Sequence, residues 1–341
     1  MLRVFGVASL FASALRVYRR LFSAPRGGLL IVPAGESTAD PAPDVVVVGA
    51  AARDIAPDDP RGWRLGGGVS YSALTTARLG LRTAALVGVD RTAVSAPELD
   101  LLRQAGVEVE LVELEHGPVF ENVDTPTGRI QLVFSRADPL PVDRLPAAWS
   151  AARGWILAPI AGELADDWVE AIPGDALVAL GWQGLLRDLA SSERVQRRPP
   201  FPSALVRRAD IIGVSQDDVA RDTDLADLCR PLRSGATLVL TQGDRGGLIM
   251  EAGGDGPASI RRYPAIPSAR TVDPTGAGDV FLAAFLAARV QPRLVGGRVT
   301  AGYDALLGAA VASLVLEGRG LLGVADRDSV RRRVAVARQT A

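Results

Sequence analysis

Thr271-Val272-Asp273-Pro274-Thr275-Gly276-Ala277-Gly278-Asp279, followed by Val280-Phe281-Leu282-Ala283-Ala284-Phe285-Leu286-Ala287-Ala288, decides how this chain is read. Nine residues without a polar side chain follow Asp279, so the helix they form is apolar nearly all round and must be buried. A buried helix needs partners for the free N–H groups of its first turn. Gly276, Ala277 and Gly278 carry little or no side chain, so their amides can approach a ligand closely, and the positive helix end favours an anion. Pro274 holds Asp273 extended and presets the turn, leaving Asp279 at the helix start beside that anion. A carboxylate beside an anion hole suits phosphoryl transfer, which needs positioned donors, a magnesium ion and a base for the attacking hydroxyl's proton. The plainer alternative is an Asp near a helix start after an ordinary Gly-rich turn.

Outward from this motif, short apolar runs alternate with helical patterns from Asp44 onward, which predicts an α/β fold with an open, mostly parallel sheet covered by helices on both faces. Strands are expected at Val45 to Gly49, Ala84 to Gly88, Trp155 to Ala158, Ala176 to Leu180, Asp210 to Val214, Thr237 to Thr241 and Gly247 to Met250. Helices are expected at Ser72 to Leu79, closed by Gly80, and Pro97 to Ala105, ended by Gly106. Residues 52–65 and 119–134, the second with a turn at Gly128, break the rhythm. They read as polar strands or loops forming a small β flap over one end of the sheet, where ligands of open α/β sheets bind.

The chain has 341 residues, 38 basic and 39 acidic side chains, and not one lysine. A Walker A loop and a protein-kinase strand lysine are therefore excluded, as is Schiff-base chemistry. With Cys229 and His116 alone of their types, no internal disulfide and no Cys/His zinc site can form, and any Ser-His-Asp triad would have to use His116, which reads as a surface residue. A metal, if used, is oxygen-bound and of the magnesium kind. A net charge of −1 gives no reason to expect nucleic acid.

Residues 1–43 form a basic extension and linker, with Arg3, Arg16, Arg19, Arg20 and Arg26 and no acid before Glu36. The apolar run Val4 to Leu15 is too short to span a bilayer. The expectation is a poorly ordered extension or an upstream translation start, with an organellar presequence or membrane-surface helix as the alternatives. Residues 44–325 are read as the folded domain and 326–341 as an Arg-rich terminal helix whose arginines form a solvated face.

Asp273-Pro274-Thr275-Gly276-Ala277-Gly278-Asp279 resembles the C-terminal signature of the ribokinase-like (PfkB) carbohydrate kinase family. Gly66-Gly67-Gly68-Val69-Ser70-Tyr71, the helix after it and Leu86-Val87-Gly88-Val89-Asp90 resemble the family's Gly-Gly segment and following strand. Thr241-Gln242-Gly243-Asp244-Arg245-Gly246 resembles its nucleotide loop. The resemblance runs from about Val45 to Val324 and implies a ribokinase-like fold with a β lid. It also implies a magnesium-assisted kinase taking ATP as co-substrate and phosphorylating a hydroxyl of a sugar, polyol or nucleoside.

By that resemblance Asp279 is the catalytic base and the amides of Gly276, Ala277 and Gly278 hold the phosphoryl group. Asp54 matches the substrate-hydroxyl carboxylate, with a solvated loop Asp as the alternative, and Gly67 and Gly68 let the backbone approach the acceptor. Thr241, Gly243, Gly246, Asp273 and Thr275 would line the nucleotide site, with Ala309 and Ala312 as adenine neighbours or plain helix packing. The family's magnesium-organising Asn-x-x-Glu falls at Ser215-Gln216-Asp217-Asp218, leaving Asp218 as an indirect metal contact. Its sugar-binding Asn falls at Tyr71, which can stack on a ring but cannot pair as an amide does. On the flap, Asn122, Arg129 and Gln131 are either acceptor ligands or ordinary lid polarity.

A homodimer through the lid and a cytoplasmic location complete the expectation. These departures raise a second reading, a catalytically weak or inactive relative that binds a sugar or nucleotide. A dinucleotide oxidoreductase is excluded, because Ala50-Ala51-Ala52-Arg53 lacks the glycine fingerprint.

Overall fold

Val45–Ala50 (β1) is buried along its whole length, as its run of valines requires of a strand covered on both faces. Its side chains alternate between two cores: Val45 and Val47 enter one, Val46 and Val48 the other. The computed structural model describes residues 42–125, 128–189, 194–220, 222–296 and 300–340. The expectations for the basic tail lie outside these residues.

After β1 the chain forms β2 (Arg53–Ile55), β3 (Trp63–Leu65), α1 (Gly68–Leu79), β4 (Thr83–Asp90), α2 (Pro97–Gln104) and β5 (Glu108–Leu114). There follow β6 (Val119–Thr125), β7 (Gly128–Ser135), β8 (Gly154–Leu157), β9 (Leu177–Gly181), β10 (Arg187–Asp188) and β11 (Gln196–Arg197). Then come α3 (Ala204–Arg208), β12 (Ile211–Ser215), α4 (Leu225–Cys229), β13 (Thr237–Thr241), β14 (Gly247–Ala252) and β15 (Pro257–Tyr263). The last elements are α5 (Ala277–Val290), α6 (Tyr303–Val315) and α7 (Arg327–Thr340).

The main sheet has the order β15-β14-β13-β12-β9-β8-β1-β4-β5. It is parallel from β13 to β5, with β14 and β15 added antiparallel at one edge. From β1 the chain fills one side through β4 and β5, then crosses to β8, β9, β12 and β13, so the strand order reverses between β1 and β8. That reversal opens a crevice beyond the carboxyl ends of these two strands. The strands β3-β2-β6-β7 form a separate four-stranded sheet, and β10 pairs with β11. The α/β sheet with a β flap is thus observed.

The α5 residues Val280 to Ala288 are all buried, as their composition demands. Helix α1 starts one turn earlier than its polar-apolar pattern predicts, because Gly68 belongs to the helix and not to the turn before it. The sequence reading omits the short β10 and β11 and also β5 and β15, whose glutamates and arginines point to solvent from sheet edges. The terminal helix also corrects its reading. Val330 and Val334 are buried, and Arg333 donates to Ser313 Oγ (2.7 Å) and pairs with Glu317 (2.7 Å), so this arginine anchors α7. Among the described residues no helix is long and apolar enough to cross a membrane.

Glu163, fully buried, closes the end of β1. Its carboxylate accepts from the N–H groups of Ala50 (3.0 Å), Ile160 (3.0 Å) and Ala161 (2.8 Å). Removing it leaves buried donors unpaired at about 1–3 kcal/mol each. Glu163→Ala is expected to lower the unfolding free energy by about 2–5 kcal/mol. Urea denaturation reads this, and an unchanged midpoint would refute it.

Candidate active site

Two helices begin at the crevice, and their first turns touch. Helix α5 is entered through Gly276 at φ 79° and α1 through Gly67 at φ 88°, conformations that favour glycine. A β-carbon at Gly68 would lie 2.8 Å from Asp279 Oδ1, and one at Gly276 would lie 2.4 Å from the Tyr71 ring. The absence of both β-carbons lets the positive ends of two helices meet around Asp279. Asp273 fixes the approach to α5 by accepting from Thr275 N (2.9 Å) and Gly320 N (3.0 Å). Beside Gly278 the space is open.

Asp54 lies on β2 with Oδ2 against Gly66, where a β-carbon would come within 2.4 Å. The Tyr71 ring lies against Gly276, with its far edge toward Gly66, and is 2% exposed. The stacking role read for Tyr71 therefore has a competitor within the protein, the backbone of Gly276. Burial first, then Asp273, Asp54 and Asp279, holds its hydroxyl well above the ordinary tyrosine range, so it stays protonated. Asp54, Tyr71, Asn122, Asp273 and Thr275 line one cavity of about 210 Å³. Asp273 and Thr275, read as nucleotide ligands, thus share a space with the residues read as acceptor ligands.

On the lid, Asn122 faces Gln131 across the β6–β7 ladder, and Gln131 Nε2 donates to Asn122 Oδ1 (3.1 Å). Arg129 stands opposite Asp124 in the same ladder; its side chain lies outside the described residues.

Ser215 and Thr241 are neighbours at the carboxyl ends of β12 and β13. Beyond them, Gln216 Oε1 accepts from Gln242 (3.0 Å) and Arg245 (2.8 Å), tying the Gly243 to Gly246 turn to the Ser215 segment. Ala309 on α6 is only 7% exposed, which leaves a base little of it to touch, and Ala312 packs against the same core. Asp218 accepts from Gln183 Nε2 (2.8 Å) and from Ser215 N (3.4 Å).

Burial, and after it the charge of Asp218, pushes the Asp279 carboxyl up to about 6, against the pull of Arg187. Burial also raises Asp218, again opposed by Arg187.

Three residues that the motifs do not mark take part in this arrangement: Glu163, Gln183 and Arg187. Gln183 and Arg187 follow β9 in Gly181-Trp182-Gln183-Gly184-Leu185-Leu186-Arg187, next to the crevice. Two polar side chains in an otherwise apolar stretch after a central strand were the available signal.

Residues 209–325 match the family described as "pfkB family carbohydrate kinase". A nucleoside kinase of Methanocaldococcus jannaschii is 38% identical over 87 residues, 24% of this chain and 24% of that protein, so the shared stretch spans about a quarter of the relative. Among solved structures, a pyrophosphate-dependent kinase in the ribokinase family, complexed with a pyrophosphate analog and myo-inositol, is similar with a TM-score of 0.66. It is 21% identical, over 84% of this chain and 99% of that one. The ribokinase of Arabidopsis thaliana, complexed with ribose and ATP, reaches 0.61 at 19% identity over 86% and 99%. These likenesses show a ribokinase-like fold over 84–86% of the chain, and residues 209–325 are similar to the pfkB family of carbohydrate kinases.

Proposed function

We propose that the chain transfers the terminal phosphoryl group of ATP to a hydroxyl of a small sugar, polyol or nucleoside. The observation that carries this reading is the contact of Asp279 with the first turn of α1, while the Gly276 to Gly278 turn opens into the same space. The acceptor hydroxyl gives its proton to Asp279 as its oxygen forms a bond to the γ-phosphorus. The bond from that phosphorus to the β,γ-bridging oxygen breaks, and its electron pair leaves with ADP. Amides at the start of α5 take the charge that spreads over the phosphoryl oxygens. A base held near 6 is ionised at neutral pH yet close enough to accept a proton.

In the same reading Asp54 orients the acceptor, with Asn122 and Gln131 on the lid and Gly67 and Gly68 allowing a close approach. Thr241, Gly243 and Gly246 bound the donor. Asp218 would face a magnesium ion through water, since both its oxygens already accept hydrogen bonds. No three His, Cys, Asp or Glu side chains among the described residues converge as ligands. That donor set suits an ion carried mainly by the donor's phosphates, where it shields their charge. The committed Asp218 also favours the second reading, a relative that binds without turnover.

Exposed Phe134 (58%) and Val123 on the lid are where a second copy would pack. Phe134→Glu then converts a dimer to a monomer in sedimentation, and an unaltered species would dismiss this contact.

A screen of sugars, polyols and nucleosides with magnesium and either ATP or inorganic pyrophosphate tests acceptor and donor together. Asp279→Asn is expected to lower turnover by about 10²–10⁴-fold. Full activity in that variant removes Asp279 as the base, and no wild-type turnover on any pair favours the binding protein. In the wild type, log kcat/KM should fall as pH drops below about 6.

The same carboxylate opposes folding. It ionises near 4 in the unfolded chain and near 6 in the folded one, so stability declines as pH rises between those values. Asp279→Asn should therefore stabilise the protein at pH 7.5 by about 1–3 kcal/mol, read from urea midpoints. A lower midpoint would contradict the burial argument.

A further inference from the structure

Arg187 belongs to no motif, yet it stands among the carboxylates of the crevice. Its Nη1 is out of contact with solvent and has no hydrogen-bond partner among the described residues. A desolvated guanidinium donor without a partner is costly and uncommon, and it points to something that arrives. The guanidinium lies 5.3 Å from the centroid of the Phe120 ring, and Phe120 is the ladder partner of Asp54 across β2 and β6. Arg187 thus sits where the lid meets the crevice, its plane supported by an aromatic ring.

The charges around it indicate what it receives. Arg187 acts on both Asp218 and Asp279, the residues read as the metal-side carboxylate and the base. Asp218 and Asp279 pull on it more strongly than Asp54 and Glu163 do. An anionic group on the acceptor would lie beside Asp54, where a carboxylate repels it. Between Asp218 and Asp279 the anion that passes is the transferring phosphoryl group, and no lysine exists in this chain to meet it.

We propose that Arg187 is a catalytic residue that donates from Nη1 to a non-bridging oxygen of the phosphoryl group in transit. The assignment rests on the kinase reading given above. Arg187 stays protonated throughout. The phosphorus gains the acceptor oxygen and loses the leaving oxygen with its electron pair, and the acceptor's proton goes to Asp279. As Asp279 is neutralised, the field of Arg187 is released to the phosphoryl oxygens.

The test uses the full chain with Arg187→Met and Arg187→Lys. In the Met variant kcat is expected to fall about 10²–10³-fold with the acceptor KM changed less than about threefold. The acid limb of kcat/KM should move to higher pH, because a positive charge beside Asp279 is gone. The Lys variant restores the limb and only part of kcat, since it lacks the planar fork. Unchanged kcat, or a limb that stays in place, overturns the assignment.

Binding gives a readout that needs no turnover. Calorimetry with magnesium and ADP, with or without aluminium fluoride as a phosphoryl mimic, and in parallel with inorganic phosphate in place of ADP, compares wild type and Met variant. A gain on adding fluoride that only the wild type shows supports the proposal. An equal gain in both, no gain in the wild type, or a Met variant that also loses ADP overturns it. A wild type that turns over nothing sinks the kinase reading, and Arg187 is then judged by this comparison alone.

Discussion

The arrangement depends on two helix starts pressed together. Helices α1 and α5 open at the same crevice, and neither Gly68 nor Gly276 has room for a β-carbon where they meet. That contact sets Asp279 at the floor of the site, seats the Tyr71 ring and gathers two positive helix ends over one small volume. Its position follows from the sheet: β1 and β8 diverge in connection, and the chain between and beyond them supplies Glu163, Gln183 and Arg187. Glu163 ties β1 to the loop after β8 by three backbone hydrogen bonds, so the crevice wall does not rest on a free loop.

Burial gathers opposed charges within this volume. Burial raises the Asp279 carboxyl most, Asp218 adds to that, and Arg187 works against both. The balance near 6 is a property of the three groups together and not of the aspartate. Tyr71 takes the opposite lesson from the same surroundings. Hemmed in by carboxylates and cut off from water, its phenol has no route to ionisation at neutral pH. It can therefore act only as a neutral donor or acceptor and as a spacer.

Local chemistry was legible in the chain and long-range pairing was not. The valines of β1, the apolar run after Asp279 and the glycines at 276 and 278 each carry their structural consequence within a few residues. Strands β5 and β15 escaped because an edge strand keeps polar residues on the side facing water, so Glu108-Val109-Glu110 and Arg261-Arg262 show no apolar strand run. Arg333 read as solvated because its partners, Ser313 and Glu317, are set by the docking of α7. Arg187 and Glu163 are the same case within the site. What either does is decided by residues from other strands, and no spacing in the sequence announces those neighbours.

The antiparallel edge of the sheet has a further consequence. Thr241 and the Gly243 to Gly246 turn join β13 to β14, a hairpin at the rim, whereas Asp54, Phe120 and Asn122 belong to a separate lid sheet. The rim hairpin and the lid are thus distinct pieces of backbone, which meet at the crevice through the helix starts and through Arg187 stacked on Phe120. Changes in the rim hairpin leave the lid ladder intact, and changes in the lid leave the hairpin intact. Under the kinase reading, the donor and acceptor contacts therefore rest on separate stretches of chain that can be altered one at a time.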